Sequence, residues 1–192
     1  MKYSYDEIKN TVSKYLQDTN ETPILIAIDG NCAAGKTTLA ARLQNDLGGN
    51  VFHMDDYYLQ SYQRTENRLK ETGGNVDYER FKKEVIEPLK KGEAVEVYNC
   101  IHPNFVLQYK ETLKYERLNI IEGSYSCHPY FGCPYKLQIF VEVDYEVQIE
   151  RIRERNGELM LKRFITEWIP KENEYFRKMK IKESCLQIKQ VQ

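Results

Sequence analysis

The sequence has no hydrophobic run approaching the ~18 residues that a membrane-spanning helix requires, so no membrane partner is expected. It has no excess charge of either sign: 28 Lys+Arg against 29 Asp+Glu leave a net charge of −1, which excludes a chain whose main work is gripping nucleic-acid phosphates. Glycine and proline number 10 and 6 in 192 residues, too few for a fibrous or low-complexity chain, and no Pro/Gly/Ser linker or internal repeat divides it. At roughly 150 residues per domain, residues 1–192 read as one domain. The 5 cysteines (Cys32, Cys100, Cys127, Cys133 and Cys185) are an odd number, which argues for reduced thiols rather than a disulfide framework. Cys127, His128 and Cys133 lack the paired spacing of a zinc site. The opening residues MKYSYDEIKN are too polar for a secretory signal, so the expected location is the cytoplasm.

What the chain does have is alternation of apolar runs with amphipathic segments. Tyr5, Ile8, Val12, Tyr15 and Leu16 recur at helical spacing and predict a leading helix over 5–17. After Pro23, Ile24–Ile28 is a continuous apolar run, the pattern of a strand buried on both faces of a parallel sheet. Val51–Met54, Leu118–Ile121 and Leu137–Val143 predict three more strands, with helices over 38–47, 78–90 and 145–155. This order predicts an α/β fold with three layers, a mostly parallel sheet flanked by helices. Beyond Glu158, the spacing of Leu159, Leu161, Phe164, Ile165 and Trp168 predicts a helix broken by Pro170. A second helix through Tyr175 and Phe176 and a short strand over 184–189 complete the chain.

At the end of the first predicted strand stands Gly30-Asn31-Cys32-Ala33-Ala34-Gly35-Lys36-Thr37, matching G-x-x-x-x-G-K-[ST] at every constrained position. The strand before it and the helix pattern after it (Leu39, Ala40, Leu43, Leu47) are the context in which that string binds phosphate. Glycines let successive amides turn toward one centre at a helix N-terminus, where the dipole already favours an anion. Residues 30–37 and Thr38 are therefore the expected nucleotide cradle, with Lys36 reaching the β- and γ-phosphates and the Thr37 hydroxyl holding Mg²⁺. At such an N-terminus the Cys32 thiol is expected to be more acidic than usual. No Asn/Thr-Lys-x-Asp guanine reader occurs in the chain, which disfavours a switch GTPase.

Two acidic positions follow predicted strands. His53-Met54-Asp55-Asp56-Tyr57-Tyr58 comes after the second, and Glu122-Gly123 after Leu118–Ile121. Ligands of open α/β sheets sit at the carboxyl ends of the strands, so both should face the phosphate loop. A carboxylate there can take the proton of an attacking hydroxyl, and Glu122 is placed to order the metal. Segment 57–76, with Tyr57, Tyr58, Tyr62, Arg64 and Arg68 and ending in Gly73-Gly74, is expected to form a mobile acceptor-site loop. Arg151 and Arg155, four apart, share a helix face on which both can lean over the phosphates, with Arg153 opposite.

IAIDGNCAAGKTT, MDDYY, GGNVDYERF, VYNC, IIEGSYS and RIRERNG together resemble the uridine kinase and phosphoribulokinase group of P-loop kinases, over roughly residues 22–157. The resemblance implies ATP as donor, Mg²⁺ as its metal and a small hydroxyl-bearing molecule as partner. It places Asp55 as base toward a sugar hydroxyl and among the oxygens near the metal, and Tyr58 as the aromatic near a nucleoside. Asp77 would be the acid holding ribose hydroxyls, Tyr98 the aromatic beneath the base and Glu122 the acid on the Mg²⁺ side. Residues 151–157 form a lid shorter than the family's, and His102 follows Tyr98 by four positions where the base-recognising His of uridine kinases follows by five. The resemblance also implies a small β-hairpin, around 96–116; uridine kinases often assemble from identical chains, and that hairpin is one candidate contact surface. The expected activity is transfer of the γ-phosphoryl of ATP to a uridine- or cytidine-like nucleoside. A kinase for pantothenate or a sugar phosphate stays open, as does a regulatory protein in which nucleotide occupancy moves segment 57–76.

Overall fold

A computed structural model describes residues 2–18, 22–101 and 103–189; His102, one of the expected acceptor contacts, lies outside them. Helix α1 (Tyr5–Gln17) starts from a capping box in which Ser4 and Glu7 satisfy each other's backbone amides. It leads to β1 (Ile24–Gly30), α2 (Lys36–Leu47) and β2 (Asn50–His53). A short helical region follows: α3 (Glu66–Lys70), then α4 (Tyr78–Phe81) and α5 (Glu87–Lys90), joined by a π-helical turn. The hairpin β3 (Val95–Ile101) and β4 (Val106–Leu113) precedes β5 (Leu118–Glu122) and β6 (Leu137–Glu142). The chain closes with α6 (Tyr145–Arg163), α7 (Ile169–Lys178), α8 (Ile181–Ser184) and β7 (Leu186–Lys189).

The main sheet has the order β2-β5-β1-β6-β7, and all of its pairings are parallel. Every residue of β1 is buried, as its unbroken apolar run requires of a central strand. Period-2 alternation divides that strand between two cores. Ile24, Ile26 and Ile28 pack with Ile8 and Val12 of α1 and with Leu39, Ala40 and Leu43 of α2. Leu25 and Ala27 face Phe81, Val85, Tyr175 and Phe176 on the opposite side. The result is the expected three-layer arrangement. Among the described residues, no helix is long and apolar enough to cross a membrane.

Two segments depart from the sequence expectation. Pro170 does not break the chain's helical course: α6 runs through a π-helical turn (Phe164–Trp168) into α7, and the proline sits in α7's first turn, where its missing N–H is not needed. The interruption lies earlier, at Gly157, whose φ of 76° and ψ of 168° leave the helical region inside α6. Segment 57–76 is folded rather than an open loop. It contains a 3₁₀ turn at Ser61–Gln63 and α3, and a bridge between Tyr58 and Val76 closes its ends.

Register decides what meets at the carboxyl edge. Glu122 pairs with both Ile28 and His53, and Gly30 with Val141, so the last residues of β2 and β5 stand side by side and β1 runs two residues beyond them. Just short of that edge, Asp29 is fully buried. Its Oδ1 accepts from the Gly30 N–H at 2.7 Å, and its Oδ2 from the Cys127 N–H at 3.0 Å and the Tyr175 hydroxyl at 2.8 Å. Burial pushes the carboxyl up to about 6, against the pull of Cys127, Lys36, Tyr175 and Gly30.

That raised value means the folded state holds the Asp29 proton more tightly than the unfolded chain, whose carboxyl titrates near 3.8. Its contribution to stability is greatest below both values and declines as the pH rises through the interval. The difference in unfolding free energy between wild type and Asp29→Ala should shrink by about 3 kcal/mol from roughly pH 4 to pH 6.5. Denaturant titrations of both proteins across that range would read the slope, and a pH-independent difference would exclude a carboxyl titrating there. Tyr175→Phe, which removes one donor, should cost about 1–2 kcal/mol.

Candidate active site

The loop between β1 and α2 takes its shape from residues with positive φ: Gly30 at 137°, Ala33 at 60° and Gly35 at 97°. A side chain at Gly30 is excluded twice, by that angle and because a Cβ would lie 2.1 Å from the Val141 carbonyl oxygen. Such alternation of backbone handedness gathers amides into an anion-binding concavity at the start of α2. Lys36 is 8% exposed and folds back along the loop, its Nζ donating to the carbonyls of Gly30 at 2.8 Å and Asn31 at 3.0 Å. Thr37 Oγ1 donates to Glu122 Oε1 at 3.2 Å, and His53 Nδ1 meets the same oxygen at 2.5 Å. Glu122 thereby raises the His53 pKa, chiefly through that hydrogen bond.

These groups open into a cavity of about 1030 Å³. Residues 32–38 form its floor, with Asp55, Tyr58 and Glu122 at one side and Arg151 and Arg155 at another. Asp55 is exposed to it and accepts from the Tyr58 hydroxyl at 3.0 Å. Asp56 turns the other way, to Lys110 Nζ on β4 at 2.8 Å. Of the adjacent pair, Asp55 is therefore the carboxylate facing the phosphate loop. Arg151 donates to the Ala33 carbonyl at 3.1 Å, whereas Arg153 leaves the cavity for Glu158 at 2.6 Å.

Three other expectations meet a different arrangement. Asp77 does not line the cavity: it is 2% exposed, caps α4 by accepting the Arg80 N–H at 3.0 Å, and takes a bond from Gln63 Nε2 at 2.7 Å. Tyr98 also lies outside the lining, its hydroxyl donating to Glu96 at 3.1 Å and its ring edge-on to Tyr109. The Cys32 thiol is not acidified by the helix N-terminus. Burial, reinforced by Glu172, pushes it up to about 12, since a sulfur packed against Ile152, Leu161 and Phe164 gains little from the dipole.

The most consequential residue absent from the sequence reading is Glu172. It is 6% exposed on α7, its Oε2 accepts the Cys32 N–H at 3.0 Å, and its Oε1 accepts the Ser124 hydroxyl at 2.6 Å. Gln148 completes the clamp by donating to the Cys32 carbonyl at 3.0 Å. Trp168 lines the same cavity, edge-on to Phe164 and beneath the Arg163 guanidinium. No local signal marks Glu172, because its partner is 140 positions away.

No family model matches the chain, and no curated protein sequence matches it. Solved structures do. A protein from Bacillus stearothermophilus, provisionally described as a uridine kinase, superposes with a TM-score of 0.71 at 18% identity over 96% of each chain. One from Silicibacter sp. TM1040, provisionally described as a fructose transport system kinase, gives 0.68 at 18% identity, again over 96% of each chain. At these identities the likeness shows the fold alone, the parallel sheet flanked by helices that the chain shares with both structures.

Glu172 holds a negative charge against an amide of the phosphate loop, so neutralising it should favour a polyphosphate there. Glu172→Gln is expected to bind a nucleoside triphosphate about tenfold more tightly than wild type, a change of ~1.4 kcal/mol. Trp168, the chain's sole tryptophan, provides a fluorescence reading of binding. A weaker or unchanged affinity would make Glu172 a strut of the loop instead.

Proposed function

We propose that the protein is an ATP-dependent phosphotransferase that moves the γ-phosphoryl group of ATP to a hydroxyl of a small molecule. The observation carrying this reading is that Asp55 shares one cavity with the phosphate loop, Lys36 and the Thr37–Glu122 pair. A hydrolase acting on water alone would have no need of a second wall built from residues 58–76. The first sequence expectation was a nucleoside acceptor. Of the residues that this needs, Tyr58 is in the cavity, while Asp77 and Tyr98 are not, so the reading stops at a hydroxyl-bearing small molecule.

Thr37 Oγ1 and Glu122 Oε1 are hard oxygen donors 3.2 Å apart at the rim of the loop. That pair suits Mg²⁺, which takes one or two protein oxygens and completes its shell with phosphate and water. When bound, the ion supplies positive charge to the phosphate oxygens. His53 Nδ1 holds that same Glu122 Oε1 at 2.5 Å and so fixes the carboxylate in place. The loop amides and Lys36 hold the phosphate chain, and Lys36 needs only to exchange two carbonyls for phosphate oxygens to do so. Arg151 and Arg155 line the cavity from α6 and offer charge to the migrating group. Asp55 receives the acceptor's proton as the hydroxyl oxygen bonds to the γ-phosphorus. The bond from that phosphorus to the β–γ bridging oxygen breaks, and ADP leaves with the electron pair.

Acceptor-dependent ADP release is the direct test. Asp55→Asn should lower the turnover of an active acceptor by about 10²–10⁴-fold while preserving ATP binding, as expected for loss of a general base. Asp56→Asn, which faces Lys110, should fall by far less. Equal turnover of wild type and Asp55→Asn would remove Asp55 from this role. ATP binding without release in the presence of any acceptor would favour the regulatory alternative.

A further inference from the structure

Three arginines stand on the acceptor side of the molecule, and two of them are neutralised in place. Arg68 donates to both oxygens of Glu79 at 2.7 and 2.6 Å and to Glu71 at 3.2 Å, and it stacks on Tyr78. Arg80 pairs with Glu84 at 3.2 Å and lies 3.8 Å from Asp77. It also donates to the carbonyls of Asp56 and Tyr98 and covers the Tyr57 ring. Both are framework cations.

Arg64 shares their stacking on an aromatic ring but differs in its place in the cavity lining and, among the described residues, in its lack of an acidic partner. It is half-buried and lines the cavity together with Asp55 and Tyr58. Its guanidinium lies 4.1 Å over the Phe105 ring, and among the described residues no carboxylate pairs with it. A guanidinium stacked on a ring keeps its in-plane N–H fork unused by that contact, and the fork matches a carboxylate or a phosphate. Asn75 lines the same wall as a neutral hydrogen-bonding group, and Leu69 and Val76 make the remainder apolar. The residues that would have recognised an uncharged nucleoside are elsewhere: Asp77 is engaged by Gln63 and Arg80, and Tyr98 lies on the hairpin outside the lining.

We infer that the acceptor is a hydroxyl-bearing anion, a carboxylate or a phosphate ester. Its charged group pairs with Arg64 while its hydroxyl faces Asp55. This rests on the phosphotransferase reading above and narrows it: the cavity holds its phosphate donor at the loop and a second, smaller anion at the far wall. Arg64 is the specificity-determining residue, and Phe105 holds its guanidinium flat.

The test uses acceptors in matched pairs, one member charged and one not: glycerate with glycerol, ribose 5-phosphate with ribose, and pantothenate with pantothenol, with uridine and cytidine as further uncharged candidates. Acceptor-dependent ADP release is measured for wild type, Arg64→Gln and Arg64→Lys. Wild type is expected to use the charged member of a pair, and whether that member is a carboxylate or a phosphate ester identifies the anion. Arg64→Gln should raise the KM of that acceptor about tenfold to a hundredfold, more than it lowers kcat, and Arg64→Lys should recover part of the loss. Turnover of an uncharged member or a nucleoside, with a KM indifferent to Arg64→Gln, overturns the inference and leaves the phosphotransferase reading standing. A rise confined to the KM of ATP overturns it too, since Arg64 would then serve the donor. Silence toward every acceptor, with ATP still bound, defeats the phosphotransferase reading and this inference together.

Discussion

The carboxylate of Asp29 receives hydrogen bonds from three parts of the chain: Gly30 beside it, Cys127 beyond β5, and Tyr175 on α7. A carboxylate buried this completely is tolerated only where donors surround it. Each donor is therefore held where it is by the cost of leaving Asp29 unsatisfied. Because Asp29 immediately precedes Gly30, fixing it fixes the strand end from which the phosphate loop departs. Because Cys127 and Tyr175 belong to the segments that carry Ser124 and Glu172, the same carboxylate sets those two residues against the loop. The geometry of the phosphate end thus follows from one buried charge and the parallel register that places Glu122 beside Ile28 and His53.

The acceptor wall follows a different logic, in which cations rather than an anion organise the backbone. Arg80 binds the Asp56 carbonyl and covers Tyr57, so the residues flanking Asp55 are pinned while Asp55 itself stays exposed. Arg68 closes the far end by donating to the Val76 carbonyl at 3.1 Å. Each guanidinium has several donors in one plane, which suits it to joining carbonyls and carboxylates from separate turns. Segment 57–76 is therefore ordered by these cations together with the burial of Tyr57, Leu59 and Val76. Once those two arginines are engaged, the charge still facing the cavity from this segment is Arg64.

The phosphate loop was legible in the sequence because its chemistry is local. A strand, two glycines at fixed spacing, a lysine and a threonine specify nearly all of the nest, and the structure adds only the angles. The strands and their parallel arrangement were legible for a related reason, since Ile24–Ile28 can be buried on both faces only in a central strand. Residues acting through long-range partners were not legible. Asp55 and Asp56 are neighbours of identical chemistry, and Lys110 separates their roles from across the hairpin. Asp77 follows a Gly-Gly turn as an acceptor-binding acid would, yet the Arg80 amide and Gln63 make it a cap. Pro170 reads as a breaker unless the preceding turn is known to be π-helical.

The position of Glu172 shows how the C-terminal helices enter the chemistry. Gln148 and Arg151 hold the loop through its carbonyls, as donors. Of these three side chains, Glu172 is the one that holds it through an amide, as an acceptor. A phosphate oxygen is also an acceptor, so it competes with Glu172 for the Cys32 N–H and leaves the other two contacts untouched. Loss of that contact leaves the carboxylate bound to Ser124 and close to a polyphosphate of the same sign, which disfavours its present position. α7 is continuous through the π-helical turn with the segment carrying Arg163 and Trp168, so the contact to the Cys32 amide and the helical cover of the cavity belong to one run of helix.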